Sequence, residues 1–138
     1  MGTKDWNQSI IEEFRASGGK VGGRFEGHPL LLLHHRGAKS RVERVNPLAY
    51  QPLPDGALAV FGSRGGSPRN PDWYHNVRAN PRVTVEVGTE SFEATARVAE
   101  GEERELIWEK QKSNIPTFAE YERRIERQIP VVILDRAS

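Results

Sequence analysis

A chain of 138 residues with 20 basic and 19 acidic side chains, a formal net charge of +1 and no cysteine is long enough for one hydrophobic core and too short for two. The near balance of charge argues against bulk attraction to nucleic acid, and the lack of thiols excludes disulfides, thiolate nucleophiles and thiolate metal sites. MGTKDWNQSIIEEF has no apolar stretch of the signal-peptide kind and no run approaches the ~18 apolar residues of a membrane span, so the expectation is a single domain over residues 1–138, cytoplasmic, with at most peripheral contact at the inner face of a membrane.

In chain order, Asp5 or Asn7 can cap a helix to about Ala16 with Ile10, Ile11 and Phe14 on one stripe, and Ser17-Gly18-Gly19 ends it. Beyond a glycine-rich stretch, Leu30 to His35 reads as a strand buried on both faces. Arg41 to Val45 alternates charged and apolar residues, Leu48 to Leu53 is a second extended piece broken by prolines, and Pro54-Asp55-Gly56 turns the chain into Ala57 to Phe61. Pro71 can sit in the first turn of a short helix that Asn80-Pro81 stops near Ala79. Val83, Val85 and Val87 alternate along a strand, and Gly88-Thr89-Glu90 turns it into Ser91 to Val98, the clearest hairpin in the chain. A charged helix from Gly101 to about Lys112 presents Leu106 and Ile107, a second runs from Thr117 to Gln128, and Pro130 to Leu134 closes the chain as a strand. About six mostly hairpin-linked strands with helices between them and at both ends predict an α+β barrel or strongly curved sheet. The regular alternation and the glycine fingerprint of a doubly wound dinucleotide fold are both missing.

Two loops offer anion chemistry. Arg36-Gly37-Ala38-Lys39-Ser40-Arg41 combines turn amides, a hydroxyl and cations, which suit a phosphate or carboxylate at roughly 1.5–3 kcal/mol net per charge-assisted bond. The same composition also describes a basic, solvated surface turn. Ser63-Arg64-Gly65-Gly66 repeats the offer, with two glycines that let a ligand approach the backbone closely. Pro71 then starts a helix whose free amides point back at the loop, and Trp73 and Tyr74 supply flat surfaces that serve equally as core or as a ligand shelf. No metal site is expected: His34 and His35 point to opposite faces of one strand, and His28 and His75 lack partners at ligand spacing. Nothing resembles a nucleophile elbow.

GGKVGGRFEGHPLLLLHHRGAKS, RVNPLAY, SRGGSPRNPDWYHNVRANP and IPVVILDR, in that order and spacing, resemble the deazaflavin-dependent nitroreductase family of actinobacteria over nearly the whole chain. The resemblance implies a flavin-reductase-like split β-barrel of about six mostly antiparallel strands. It also implies coenzyme F-420, an 8-hydroxy-5-deazaflavin derivative, whose reduced form delivers hydride to quinones, nitro compounds or similar electron-poor acceptors. It puts Lys39 and Ser40 at the cofactor phosphate and anionic tail, with Arg41 standing in for the arginine that the family carries where this chain has Ala38. Ser63, Arg64, Gly65 and Gly66 match a stretch lying against the cofactor, Pro71, Trp73 and Tyr74 frame it, and Asn46, Pro47 and Leu48 line the same groove. The helix from Thr117 would form a substrate lid through Phe118, Tyr121 and Ile125, unless that stripe is simply packing; family members carry tyrosines near it, where Phe118 departs. Two other functions fit the same residues: a non-catalytic deazaflavin carrier, and an oxidoreductase using flavin mononucleotide on a similar barrel.

Overall fold

Leu30 to Leu33 are all buried, and because successive side chains of a strand point to opposite faces, each face of this strand needs its own cover. The computed structural model, which describes residues 3–18, 30–63 and 69–137, supplies both. The described elements are α1 (Thr3–Ala16), β1 (Leu30–Arg36), β2 (Glu43–Pro52), β3 (Leu58–Phe61), α2 (Asp72–Ala79), β4 (Arg82–Val87), β5 (Glu90–Val98), α3 (Gly101–Asn114), α4 (Thr117–Arg124) and β6 (Val131–Arg136). The strands close into a barrel in the order β1-β2-β3-β6-β5-β4, with every pairing antiparallel. This is the α+β split barrel expected from the sequence.

Leu31 and Leu33 belong to the barrel interior with Val60, Val85, Val132 and Leu134, while Leu30 and Leu32 lie under Ile10, Ile11 and Phe14 of α1. α2 adds Trp73 and Val77 to the interior cluster and so plugs the barrel. On the outer side of β3 and β6, Ile107, Trp108 and Phe118 of α3 and α4 pack on Phe61, Val131 and Ile133. The β4–β5 hairpin pairs from Arg82↔Thr95 to Val87↔Glu90, and Gly88 in its turn takes a φ of 59°, where a side chain is disfavoured.

Several readings differ from the sequence expectation: α1 begins at Thr3, ahead of both Asp5 and Asn7, so neither is its cap. Arg41–Val45 and Leu48–Leu53 are one strand, because β2 runs straight through Pro47; β3 pairs only with Tyr50–Pro52, so the first half of β2 is an edge, where a proline is tolerated. Pro71 is not in the first turn of α2 but one residue ahead of it, in extended conformation. α3 buries Arg104, Ile107, Trp108 and Gln111, spaced three and four apart, which turns Leu106 outward at 67% exposure. α4 stops at Arg124 rather than Gln128, because Ile125 is extended and the chain must reach β6, burying Ile129 on the way.

α1 is fastened to the barrel by charge as well as by Phe14. Arg15 Nη2 donates to Glu86 Oε2 at 2.8 Å, and His34 Nε2 lies 2.5 Å from the same oxygen. The Arg15 hydrogen bonds hold the Glu86 carboxyl below its ordinary value of 4.5. A carboxyl depressed in the folded state contributes stability that is complete above its unfolded pKa and lost as pH falls through the folded one. Melting temperature is therefore expected to drop below about pH 4.5, and Glu86→Gln to flatten part of that acid limb. Identical acid slopes in the two proteins would show that the clamp contributes nothing.

Candidate functional site

Lys39, Ser40 and Arg41 occupy the turn between β1 and β2, and all three are exposed. Gly37 N–H donates to Val42 O at 3.0 Å and Gly37 O accepts from Arg41 N–H at 2.9 Å, which draws the turn tight. A Cβ at position 37 would collide with Ser40 Oγ. Arg41 has a φ of 60°, a left-handed conformation that costs a side-chain-bearing residue roughly 1–2 kcal/mol. Ser40 Oγ accepts from Val42 N–H at 3.2 Å. Neither Lys39 nor Arg41 forms an ion pair among the described residues. The turn thus presents two cations with no described carboxylate opposite them.

Asn46 pairs across from Leu33 and Leu48 from Leu31, so both share the interior face, while Pro47 takes the other. They lie on the stretch of β2 that β3 does not cover, a seam in the barrel wall. Ser63 follows β3, half-buried; Arg64, Gly65 and Gly66 lie outside the described residues. Pro71 is buried, and Trp73, at 4% exposure, sits in the interior cluster, the core position of its two alternatives. Tyr74 beside it is half-buried, with the Arg78 guanidinium 5.5 Å from its ring centre.

Phe118 and Tyr121 stand elsewhere. Phe118 is 9% exposed, its ring centre 5.6 Å from that of Phe61, 6.1 Å from Trp108 and 5.5 Å from Tyr121. Both residues belong to the cluster outside β3 and β6, not to that of Trp73 and Leu48, and Tyr121 is the half-buried one of the pair.

Three residues that sequence reasoning did not select tie the site together. His35 is 2% exposed; its Nε2 lies 2.7 Å from Asn46 Oδ1 and its Nδ1 lies 3.1 Å from Asn76 Nδ2. Asn76 Oδ1 in turn accepts from Ala38 N–H at 3.0 Å. Burial pushes the His35 pKa below its ordinary 6.5, which favours the neutral ring. Arg127 donates to Asn70 Oδ1 at 2.5 Å and to Ser63 O at 3.1 Å, joining the two flanks of the Arg64–Gly66 stretch. The one signal for His35 was parity: it falls on the same face as Leu31 and Leu33, inward.

The chain matches the F420H(2)-dependent quinone reductase family over residues 6–136. It belongs to that family. An F420H(2)-dependent quinone reductase of Mycobacterium tuberculosis is 39% identical over 127 residues, 89% of this chain and 85% of the relative. A solved F420-H2 dependent reductase is 42% identical with a TM-score of 0.70, covering 78% of this chain and 94% of the other. A further solved structure, described as a domain-swapped dimer, is 36% identical with a TM-score of 0.73, covering 97% of this chain and all of the other (100%). As a member of the quinone reductase family the protein is an oxidoreductase whose cofactor is coenzyme F-420. The donor set suits that cofactor: a tight cationic turn for its anionic end, a seam beside Asn46 to Leu48, and a half-buried tyrosine at the start of α2.

Proposed function

We propose that this quinone reductase binds reduced coenzyme F-420 along the seam, with Lys39, Ser40 and Arg41 at its anionic end, and delivers hydride to a quinone. The observation that carries the reading is the turn itself: strained at Arg41, two cations without a described partner, and bonded through Ala38 to the helix that bears Tyr74. When bound, the reduced deazaflavin supplies the electron pair as hydride, so the side chains are left to bind, orient and exclude water. In this reading Asn46, Pro47 and Leu48 line the groove, and Ser63, Arg64, Gly65 and Gly66 lie along the cofactor. Pro71 and Trp73 act from inside the wall, by setting where α2 begins, and Tyr74 offers the ring face. On the acceptor side Tyr121 is the contact, with Phe118 behind it as packing.

The acceptor pocket must hold the quinone carbonyl within about 3–3.5 Å of the reacting carbon. Developing charge on that oxygen calls for a donor, and the Tyr121 hydroxyl is the one that α4 offers. Other electron-poor acceptors, nitro compounds among them, enter on the same terms. No helix among the described residues is long and apolar enough to cross a membrane. We place the enzyme in the cytoplasm, meeting membrane-borne quinones peripherally.

Titration of the tryptophan fluorescence with coenzyme F-420 and, separately, with flavin mononucleotide tests the cofactor side. Saturable quenching by F-420 that weakens as salt is added is the expected result. A tighter response to flavin mononucleotide would replace the cofactor in this scheme.

A further inference from the structure

The polar chain running from Asn46 to Ala38 has a single proton arrangement in which every donor meets an acceptor. Ala38 N–H can only donate, so the Asn76 atom facing it is the carbonyl oxygen. The Asn76 amide nitrogen then faces His35 Nδ1, which must be bare, and the ring proton sits on Nε2, donating to Asn46 Oδ1. Both His35 and Asn76 are buried, at 2% and 7% exposure, where an unmet polar group is costly. The orientation of the Asn76 amide is therefore set by the Ala38 N–H, it fixes the His35 tautomer in turn, and through Asn76 the backbone next to Lys39 is tied to α2. Asn80, at the end of the same helix, reaches Gly37 O at 3.5 Å and reinforces the link weakly.

We propose that Asn76, held between the Ala38 N–H and His35, is a positioning residue of the cofactor site: it sets the distance between the cationic turn at Lys39 and the ring face at Tyr74, so cofactor affinity depends on a pair that touches no cofactor. This rests on the reading that the turn and α2 hold coenzyme F-420. Asn76→Leu removes both bonds at nearly constant volume. Asn76→Asp keeps the bond from Ala38 N–H, which a carboxylate accepts, and gives up only the donor to His35 Nδ1.

The test has two readouts on the protein without acceptor. In Asn76→Leu, hydrogen exchange of the Ala38 amide and the dissociation constant for F-420 are each expected to rise about tenfold, the scale of one lost hydrogen bond. Asn76→Asp, which keeps the Ala38 bond, is expected to keep the protection of the Ala38 amide that Asn76→Leu loses. Should Asn76→Leu fail to fold, nitrogen chemical shifts of His35 in the wild-type protein decide the orientation: the Nε2–H tautomer is expected, and the Nδ1–H tautomer overturns the scheme. An affinity within twofold of wild type in a folded Asn76→Leu would likewise overturn it and leave the pair as packing. Failure of the underlying reading looks different, since wild type itself would then show no F-420 titration, and the positioning role would fall with it.

Discussion

Lys39→Ala and Arg64→Ala are each expected to weaken binding of coenzyme F-420 by about 1.5–3 kcal/mol, roughly ten- to a hundredfold. Lys39 stands on a tight turn among exposed residues, with no described carboxylate to compete for it, so the ammonium is available to an anionic ligand. Arg64 carries the same expectation on the strength of its motif. A charge in such a turn is only partly desolvated, and wild-type affinity should therefore fall with ionic strength. Each single variant should show a shallower salt dependence than wild type. The double variant reports whether the two cations act on one stretch of ligand, because sites that share a partner depart from additivity. Unchanged affinity in both single variants would remove the turn from the cofactor site.

Trp108→Ala is expected to cost about 3–5 kcal/mol of stability, a large share of the roughly 5–15 kcal/mol that holds a typical domain together. The indole is 1% exposed and sits between elements: its ring centre is 6.0 Å from Phe61 on β3 and 6.1 Å from Phe118 on α4. Its Nε1–H donates to Glu122, and Arg104 and Lys112 approach its ring at 5.5 and 5.9 Å. Truncation empties the junction of α3, α4 and the barrel wall and strands the Glu122 contact. The denaturant midpoint should fall accordingly, and Trp108→Phe should recover part of the loss because it refills most of the volume. A change below about 1 kcal/mol, the level of an ordinary surface substitution, would mean that the aromatic cluster is not a support of the fold.

How far the sequence could be read depends on the range of the interactions involved. Val83, Val85 and Val87 and the glycine turn behind them specify a hairpin locally, and the hairpin is there in register. The passage of β2 through Pro47 could not be read, because it depends on how far β3 extends along the neighbouring edge. Likewise the end of α4 is set by the distance left to β6 rather than by a local stop signal. The same division holds at the site. The composition of the Lys39 turn and of Tyr74 is visible as chemistry in the sequence, and the family is shown by the match over residues 6–136. The bonds that tie these pieces are long-range: Asn76 to His35 spans 41 positions and Arg127 to Ser63 spans 64. Neither follows from periodicity. Phe118 illustrates the converse, since a stripe at helical spacing reads the same whether it faces a substrate or a neighbouring ring, and here three rings surround it.

The central claim is that the protein passes hydride from reduced coenzyme F-420 to a quinone, and anaerobic single-turnover mixing tests it most directly. Enzyme preloaded with reduced F-420 is mixed with menadione, and the return of the oxidised deazaflavin absorbance is followed together with quinol formation. The predicted result is one quinol per cofactor oxidised, at a rate far above that of free reduced F-420 with menadione and saturating in quinone. Tight binding of the cofactor with oxidation no faster than in free solution would contradict the claim and leave a deazaflavin carrier.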